Sequence, residues 1–552
     1  MFAHLRKKSV VAREWQAIFL SGSEKINPIT KHSAWVLTGM VWIFAVVLLA
    51  RLFELQIVQG SYHLLRAEEN RLVTHRLAAG RGIIRDRNGE ALTRNVPTYK
   101  RLLPGTVLAQ SQFETIDRTA AIGLSEAGQW VFFDISRDYL AGRPLAPILG
   151  YVGDVETNEQ AAIANKIIGD LEGKTGVEAS RDEYLRGQPG FEYVEVNAKG
   201  ETIQTEERIE PVNGKDITLT IDRDLQDTMY EALDGYTGAA VAIEPSTGKI
   251  LGLVSRPVFD PNNIAGSLSE PNEPFFNRAI SGAYPPGSIY KMVTLTAALE
   301  EGAVTAGQQV EDTGKITVND FQFANWLFER SGGTEGLVDA VKAMQRSNDI
   351  YFYKVGEWLG PIKLAEWSRF FGLGSKTGID LPGEATGLIP DPVWKERTTG
   401  DRWYLGNTYH MAIGQGDVLV TPLQMALVTG VIANNGRWCR PTMVAGDAIE
   451  CKELGITLEH LAVVREGMKA VCQPGGTAAR WGTFLPTVAC KTGTAQYGGA
   501  DSTKTHAWFT VFAPADNPTI VLTILLEGAG EGSEFASPVA MKILSSWFAN
   551  NP

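Results

Sequence analysis

The spacing of apolar residues changes character several times along the chain, and each change marks a different kind of element. Ser33 to Ala50 carries no charged side chain. As an α-helix this stretch is about 27 Å long, close to the ~30 Å hydrocarbon core of a bilayer. The helix is expected to run on to about Ile57, with Arg51 and Glu54 paired at i, i+3 where it emerges and Trp35 near the opposite interface. Arg51-Leu52-Phe53-Glu54 follows the apolar run instead of a small-residue cleavage site, so an uncleaved span is expected and not a removed signal peptide. Tyr62, Leu65 and Leu72 then recur within a polar stretch, and an amphipathic helix is expected from Gly60 to about Ala79.

Shorter periods dominate after that. Asn88-Gly89 between short apolar runs predicts a hairpin turn. Asp216 to Ile221 alternates as a strand, and Asp222 is placed to cap a helix carrying Leu225, Met229 and Leu233. Gly238 to Val254 predicts a hairpin of two apolar strands, with Pro245-Ser246-Thr247-Gly248 as its turn. Trp508 to Phe512 and Ile520 to Leu526 read as further strands. Thr421-Pro422 and Ser537-Pro538 each read as an N-cap followed by a first-turn proline, opening helices at Leu423 and Val539. The result is an α+β chain in four parts: an N-terminal segment (1–32), a membrane helix (33–57), a mixed module (58–235) and a large C-terminal domain (236–552).

Composition narrows the function. The chain has 552 residues, 44% of them hydrophobic and 21% charged, as folded globular domains do. A net charge of −12 argues against a general nucleic-acid binder. The excess of cations before Ser33 predicts a cytoplasmic N-terminus, and no second apolar span appears, so the rest is expected outside the cytoplasm. Cys439, Cys451, Cys472 and Cys490 form none of the zinc-ligand spacings. They allow one or two disulfides in an oxidising compartment, or buried free thiols.

The candidate chemistry begins at Tyr284-Pro285-Pro286-Gly287-Ser288-Ile289-Tyr290-Lys291. Pro-Pro-Gly cannot continue a helix, and the apolar run after it can. Ser288 is therefore expected at a helix start, with Lys291 one turn on and on the same side, as a serine nucleophile and an amine base require. A second Ser-x-x-Lys, Ser246 to Lys249, falls in the predicted turn. Lys-Thr-Gly occurs at Lys174, Lys376 and Lys491, and only Lys491-Thr492-Gly493-Thr494 lies in a strand-like setting. There a lysine and hydroxyls can fix a carboxylate while glycine leaves room for a substrate backbone. Ser347-Asn348-Asp349 lies between these two motifs.

The ordered set Ser288…Lys291, Ser347…Asp349, Lys491-Thr492-Gly493 resembles that of the serine penicillin-recognising enzymes. Arg81 to Gly89, Gly187-Gln188-Pro189-Gly190, Gly378 to Glu384 and Ile413 to Gly416 extend the resemblance to class B penicillin-binding proteins of the elongation type, penicillin-binding protein 2. Aspartate at 349, where the general motif has asparagine, also fits that type. The resemblance implies a pedestal followed by a β-lactamase-like transpeptidase domain, an antiparallel sheet flanked by helices. It implies a peptidoglycan D,D-transpeptidase of the inner (plasma) membrane, acylated by penicillins. Ser288 is then the nucleophile, Lys291 the base, Ser347 and Asp349 a proton relay, and Lys491 a cation that lowers the Lys291 pKa. Lys491, Thr492, Gly493 and Thr494 bind substrate, and the Ser288 and Thr494 backbone N–H groups form the oxyanion hole. A SEDS-family glycosyltransferase of the RodA/FtsW type is the implied partner. Some elongation-type members hold zinc through Cys and His before the middle motif. Asp312 to Arg346 has neither residue type, so no metal or other cofactor is expected. A β-lactamase or β-lactam sensor would share the three motifs, but no second carboxylate motif for deacylation is evident. A bifunctional synthase would need a glycosyltransferase domain for which no glutamate motif stands out.

Overall fold

The computed structural model describes residues 31–64, 72–102, 113–127, 131–155, 171–197, 202–498 and 503–551. Most of the expected cytoplasmic segment lies outside them. The chain divides into two compact bodies, one formed by residues 1–75 with 192–208 and the other by 76–191 with 209–552.

In the first body, helix α1 (Lys31–Phe53) runs into a π-helical turn, Glu54–Val58. Ala34–Val58 is the one helix among the described residues long and apolar enough to cross a membrane. Its apolar side chains, Trp42, Phe44 and Leu49 among them, are exposed on every side. Arg51 Nη1 meets Glu54 Oε2 at 2.5 Å, the expected i, i+3 pair. The amphipathic helix expected to Ala79 is not formed. Residues 60–64 are helical, but Leu72–Leu77 is a strand, in a three-stranded sheet with Gly190–Val196 and Thr202–Ile209. Val73 and Thr74 are β-branched and suit a half-buried strand better than a helix.

In the second body, the turn at Asn88-Gly89 forms as expected. Asp86 Oδ1 accepts from the N–H groups of Asn88 and Glu90, and Gly89 takes φ +88°, a backbone conformation glycine enters freely. The strand expected over Asp216 to Ile221 is only Ile217–Thr218, because its parallel partner is itself just Ile84–Arg85. A buried ion cluster ties this region together. Glu178, fully buried, accepts from Arg81 Nε at 2.5 Å and Arg137 Nε at 2.7 Å, and Arg81 Nη2 also reaches Asp182 at 2.8 Å. Arg181 bridges Asp380 and Asp447, which anchors it to the C-terminal region. Burial raises the Asp447 pKa against the pull of Arg181.

The C-terminal region is built on a five-stranded antiparallel sheet. Asp222 caps helix α2 (Arg223–Ala232) by accepting from Leu225 N. Strands β1 (Gly238–Ile243) and β2 (Ile250–Arg256) form the expected hairpin. The sheet is completed near the C-terminus by β3 (Ala489–Gln496), β4 (Thr505–Ala513) and β5 (Ile520–Leu526), in the order β2-β1-β5-β4-β3. Strand alternation sends successive residues to opposite faces. Ala239, Val241, Trp508 and Phe512 enter one core, and Ala240, Ala242, Phe509 and Val511 enter another. The first core is filled by helices α3 (Lys291–Glu300), α4 (Ala340–Arg346), α5 (Asp349–Leu359) and α6 (Pro422–Ala433). Every residue of α6 is buried; Thr421 is its N-cap and Pro422 its first residue, as predicted, and Gln424 adds the reciprocal bond of a capping box. The second core takes α2 and the last helix, α8 (Ala536–Asn550). This helix starts before Ser537, so Ser537 is not its cap; its buried hydroxyl accepts from Trp481 Nε1 at 2.9 Å.

The four cysteines form two disulfides. Cys439–Cys451 joins two short paired strands. Cys472–Cys490 ties the end of helix α7 (Leu458–Val471) to β3, one residue before Lys491.

Candidate active site

Gly287–Tyr290 is a single 3-10 turn leading directly into α3, so Ser288 lies at a helix start with Lys291 one turn on. The local sequence explains the turn. Gly287 takes φ +56°, and a Cβ there would lie 2.7 Å from Thr494 O. Only glycine accommodates both constraints. The segment before it is held by its neighbours: Trp508 Nε1 donates to Pro285 O at 2.9 Å, Gly287 N to Gly414 O at 2.8 Å, and Tyr284 Oη to Glu527 at 2.6 Å. The Ser288 side chain is partly exposed, and no described residue hydrogen-bonds its hydroxyl.

Beneath this turn, Lys291 is fully buried. Its ammonium donates to Asp349 Oδ1 at 2.6 Å, Ser347 O at 2.8 Å and Ser347 Oγ at 3.3 Å. Lys491, equally buried, donates to the same Ser347 Oγ at 2.9 Å and to Thr492 O at 3.0 Å. One hydroxyl thus sits between two amines, and one carboxylate is present for both. Burial lowers the Lys291 pKa and Asp349 opposes this. The Lys491 pKa is driven well below its ordinary value, first by burial and then by the nearby Lys291 charge. No described carboxylate pairs with Lys491. Asp349 thus offsets the effect of burial at Lys291, whereas at Lys491 burial and the Lys291 charge both act against the proton.

Ser347 is the left-handed residue that ends α4, at φ +53°. Non-glycine residues adopt that conformation at some cost and hold it where their surroundings demand it. Asn348 follows as the N-cap of α5, its Oδ1 accepting from Tyr351 N, so Asp349 opens that helix. The cap rule makes Asn348 readable from sequence, although attention to Ser347 and Asp349 passes over it.

Strand β3 is the free edge of the sheet. Lys491 and Gly493 face the Ser288 turn, and a Cβ on Gly493 would lie 3.1 Å from both Pro286 O and Ile289. Thr492 and Thr494 face the other way. The Thr492 hydroxyl is bonded to Thr477 Oγ1 at 2.7 Å, and Thr494 Oγ1 accepts from Gly532 N at 3.3 Å. Thr494 O accepts from Gln415 Nε2 at 3.4 Å, on the side away from β4. In an antiparallel pair the N–H and C=O of one residue point the same way, so the Thr494 N–H also faces the open edge. The competing motifs fall elsewhere. Ser246 to Lys249 is the β1–β2 turn, and Lys174 and Lys376 lie in loops. Thus the structure brings Lys291, Ser347, Asp349 and Lys491 together, with Lys291 one helical turn on from Ser288. Among the described residues, no three histidine, cysteine or carboxylate side chains converge as a metal site requires.

Comparison with known proteins agrees with this layout. Residues 238–545 match the family described as "Penicillin binding protein transpeptidase domain", and 131–219 match "Penicillin-binding Protein dimerisation domain". The peptidoglycan D,D-transpeptidase MrdA of Acinetobacter baumannii is 32% identical, over 92% of this chain and 86% of its own length. The structure of Helicobacter pylori penicillin-binding protein 2 in complex with MreC superposes with a TM-score of 0.78 at 27% identity, over 87% of this chain and 99% of that one. A chain from a peptidoglycan synthase complex, described as coordinating polymerization and crosslinking, gives a TM-score of 0.75 at 28% identity, over 94% and 99%. The chain belongs to the penicillin-binding protein transpeptidases, in the penicillin-binding protein 2 (MrdA) branch of serine-type peptidoglycan D,D-transpeptidases.

Proposed function

We propose that Ser288 is the nucleophile of this D,D-transpeptidase and that Lys291, Ser347, Asp349 and Lys491 form one proton-handling unit around it. The observation that carries the reading is the Ser347 hydroxyl held between two buried amines, only one of which has a carboxylate. The substrate supplies the missing anion. The carboxylate of a stem peptide's terminal D-alanine binds beside Lys491 at the open edge of β3, which favours the charged form of Lys491. Lys291 then passes its proton through Ser347 Oγ to Lys491, which the substrate carboxylate holds charged, so that a single ammonium remains near Asp349. Neutral Lys291 accepts the Ser288 proton as Oγ attacks the carbonyl of the penultimate D-alanine. The oxyanion lies between the N–H groups of Ser288 and Thr494. The proton passes by way of Ser347 Oγ to the departing D-alanine amine as the peptide bond breaks. An amine of a neighbouring stem peptide then attacks the acyl-enzyme and restores Ser288. Penicillins acylate the same hydroxyl because they mimic the acyl donor. Labelling with a fluorescent penicillin tests the assignment: Ser288→Ala should abolish it, and persistent labelling would refute it.

Residues 58–235 serve as a pedestal carrying the transpeptidase domain of 236–552. The single apolar helix and the cation excess before it support an anchor in the inner membrane with the N-terminus cytoplasmic. Two disulfides support an extracytoplasmic catalytic domain. The relatives solved with MreC and within a peptidoglycan synthase complex support a partnership of span and pedestal with a SEDS-type polymerase and an MreC-like protein. Co-purification in mild detergent tests it, and loss of the partner when the span is replaced would locate the contact there.

A further inference from the structure

We propose that Asp312 is a positioning residue for the reaction, holding Ser347, Asn348 and Asp349 in their working conformation through a hydrogen-bonded hub. This inference rests on the roles assigned above to Ser347 and Asp349. Asp312 ends a short strand, Val310–Asp312, and is 3% exposed. Its carboxylate accepts four hydrogen bonds from four separate places in the chain. Oδ1 takes Gly314 N at 2.8 Å. Oδ2 takes Asn325 Nδ2 at 2.9 Å, Glu335 N at 3.0 Å and Asn348 Nδ2 at 2.8 Å. A carboxylate has about four lone-pair directions, so its acceptor capacity is filled by protein N–H donors.

The hub reaches the reacting groups by two routes. Along the first, Asn348 is fully buried, with Nδ2 on Asp312, Oδ1 on Tyr351 N and its own N–H on Ala343 O at 2.9 Å. These three anchors fix the residue between Ser347 and Asp349, and so hold Ser347 in its left-handed conformation. Along the second, Asn325 is also fully buried, and its Oδ1 accepts from Asp349 N at 3.2 Å. The next residue, Trp326, donates its N–H to Asp349 Oδ2 at 3.3 Å. Asp349 Oδ1 is thereby left directed at Lys291. Asp312 touches neither Ser288 nor either lysine, so its contribution is geometric. Its removal leaves three buried N–H groups and one half-buried one competing for new acceptors and frees the strained Ser347 to relax. Displacing Ser347 by about 1 Å breaks the hydrogen bonds that both amines make to it.

The test compares Asp312→Asn, Asn348→Asp and the double variant in the full-length, detergent-solubilised protein, by stopped-flow acylation with a fluorescent penicillin. Asn348→Asp keeps the cap on Tyr351 but replaces the donor to Asp312 with a second buried carboxylate facing it. A positioning role predicts that Asp312→Asn lowers the maximal acylation rate on the order of a hundredfold. The half-saturating penicillin concentration and the fraction of enzyme that finally labels should hold. Asn348→Asp should slow acylation as well, and the double variant should be no slower than Asp312→Asn alone, because exchanging the amide and the carboxylate restores the link between the two positions in reverse. A role in folding alone predicts a smaller labelling fraction at an unchanged maximal rate, and that result overturns the proposal; so do losses that multiply in the double variant. If Asp312→Asn does not fold, Asn348→Asp carries the test by the same split. Asp349→Asn run in parallel separates the two readings. If it too leaves the rate unchanged, the assigned site is wrong; if it slows acylation while Asp312→Asn does not, only the hub is wrong.

Discussion

Replacing Asp349 by asparagine converts the middle motif to Ser-Asn-Asn and removes the only carboxylate among the described residues that faces the two buried amines. At 2.6 Å and an effective dielectric of about 20, the attraction between Asp349 and the Lys291 ammonium is about 6 kcal/mol before desolvation is charged against it. An ammonium left buried without its partner is unfavourable by about 3–5 kcal/mol, and loss of its proton relieves that. Burial pulls the Lys291 pKa down and Asp349 holds it up; with Asp349 gone, burial acts alone and the pKa falls. If Lys291 must be neutral to accept the Ser288 proton, the acid limb of the acylation profile in Asp349→Asn moves to lower pH. The maximal rate also falls. One hydrogen bond to a charged group contributes about 1.5–3 kcal/mol, and at 1.36 kcal/mol per factor of ten its loss corresponds to about ten- to a hundredfold. The assay is the rate constant for penicillin acylation from pH 5 to 9, each variant normalised to its own maximum. An acid limb that stays in place, or moves to higher pH, refutes Lys291 as the titrating base.

Other consequences follow from the same packing. Lys491→Met should abolish acylation yet leave Tm at pH 7 equal to or above that of the natural chain. The depressed Lys491 pKa means that the folded state binds fewer protons than the unfolded one, so the native chain gains stability as pH rises. The advantage of the methionine variant should accordingly shrink towards about pH 10.4, the unperturbed lysine value, as scanning calorimetry across pH would show. Glu178→Gln leaves Arg137 without its buried carboxylate and Arg81 with Asp182 alone. It should destabilise the chain by about 3–5 kcal/mol, seen as a lower Tm, and leave acylation by the folded fraction unchanged. Under graded reduction, alkylation followed by mass spectrometry should find Cys439 and Cys451 opening before Cys472 and Cys490, because Cys451 is partly exposed and the second pair is fully buried. Simultaneous opening would contradict that burial.

The parts of the molecule that could be read from sequence are those where local chemistry and tertiary structure agree. Pro-Pro-Gly before an apolar run gave the Ser288 turn, Thr421-Pro422 gave a helix start with its N-cap, and the two apolar runs of Gly238 to Val254 gave the first hairpin of the sheet. Errors arose where a distant partner decided the outcome. Leu72–Leu77 has helix-compatible spacing but becomes a strand because Gly190–Val196 lies beside it. The strand at Ile217 stops where its two-residue partner stops. Ser537 lost its cap role because α8 begins at Ala536, two residues before the expected Pro538. The site shows the same division. Its three motifs are local and visible, whereas Asp312 and Asn325 belong to no motif. They matter through hydrogen bonds spanning 36 and 24 positions of the chain, to Asn348 and Asp349 respectively. The unequal setting of the two lysines likewise depends on which amine Asp349 reaches, and only the folded geometry decides that.

The central claim is that a single hydroxyl, that of Ser288, takes the acyl group. Intact-mass and peptide mapping of the penicillin-treated protein tests it most directly. The adduct should appear at one-to-one stoichiometry on the peptide containing Ser288, and Ser288→Ala should acquire none while keeping its Tm. An adduct on any other residue, or undiminished acylation of Ser288→Ala, would contradict the account.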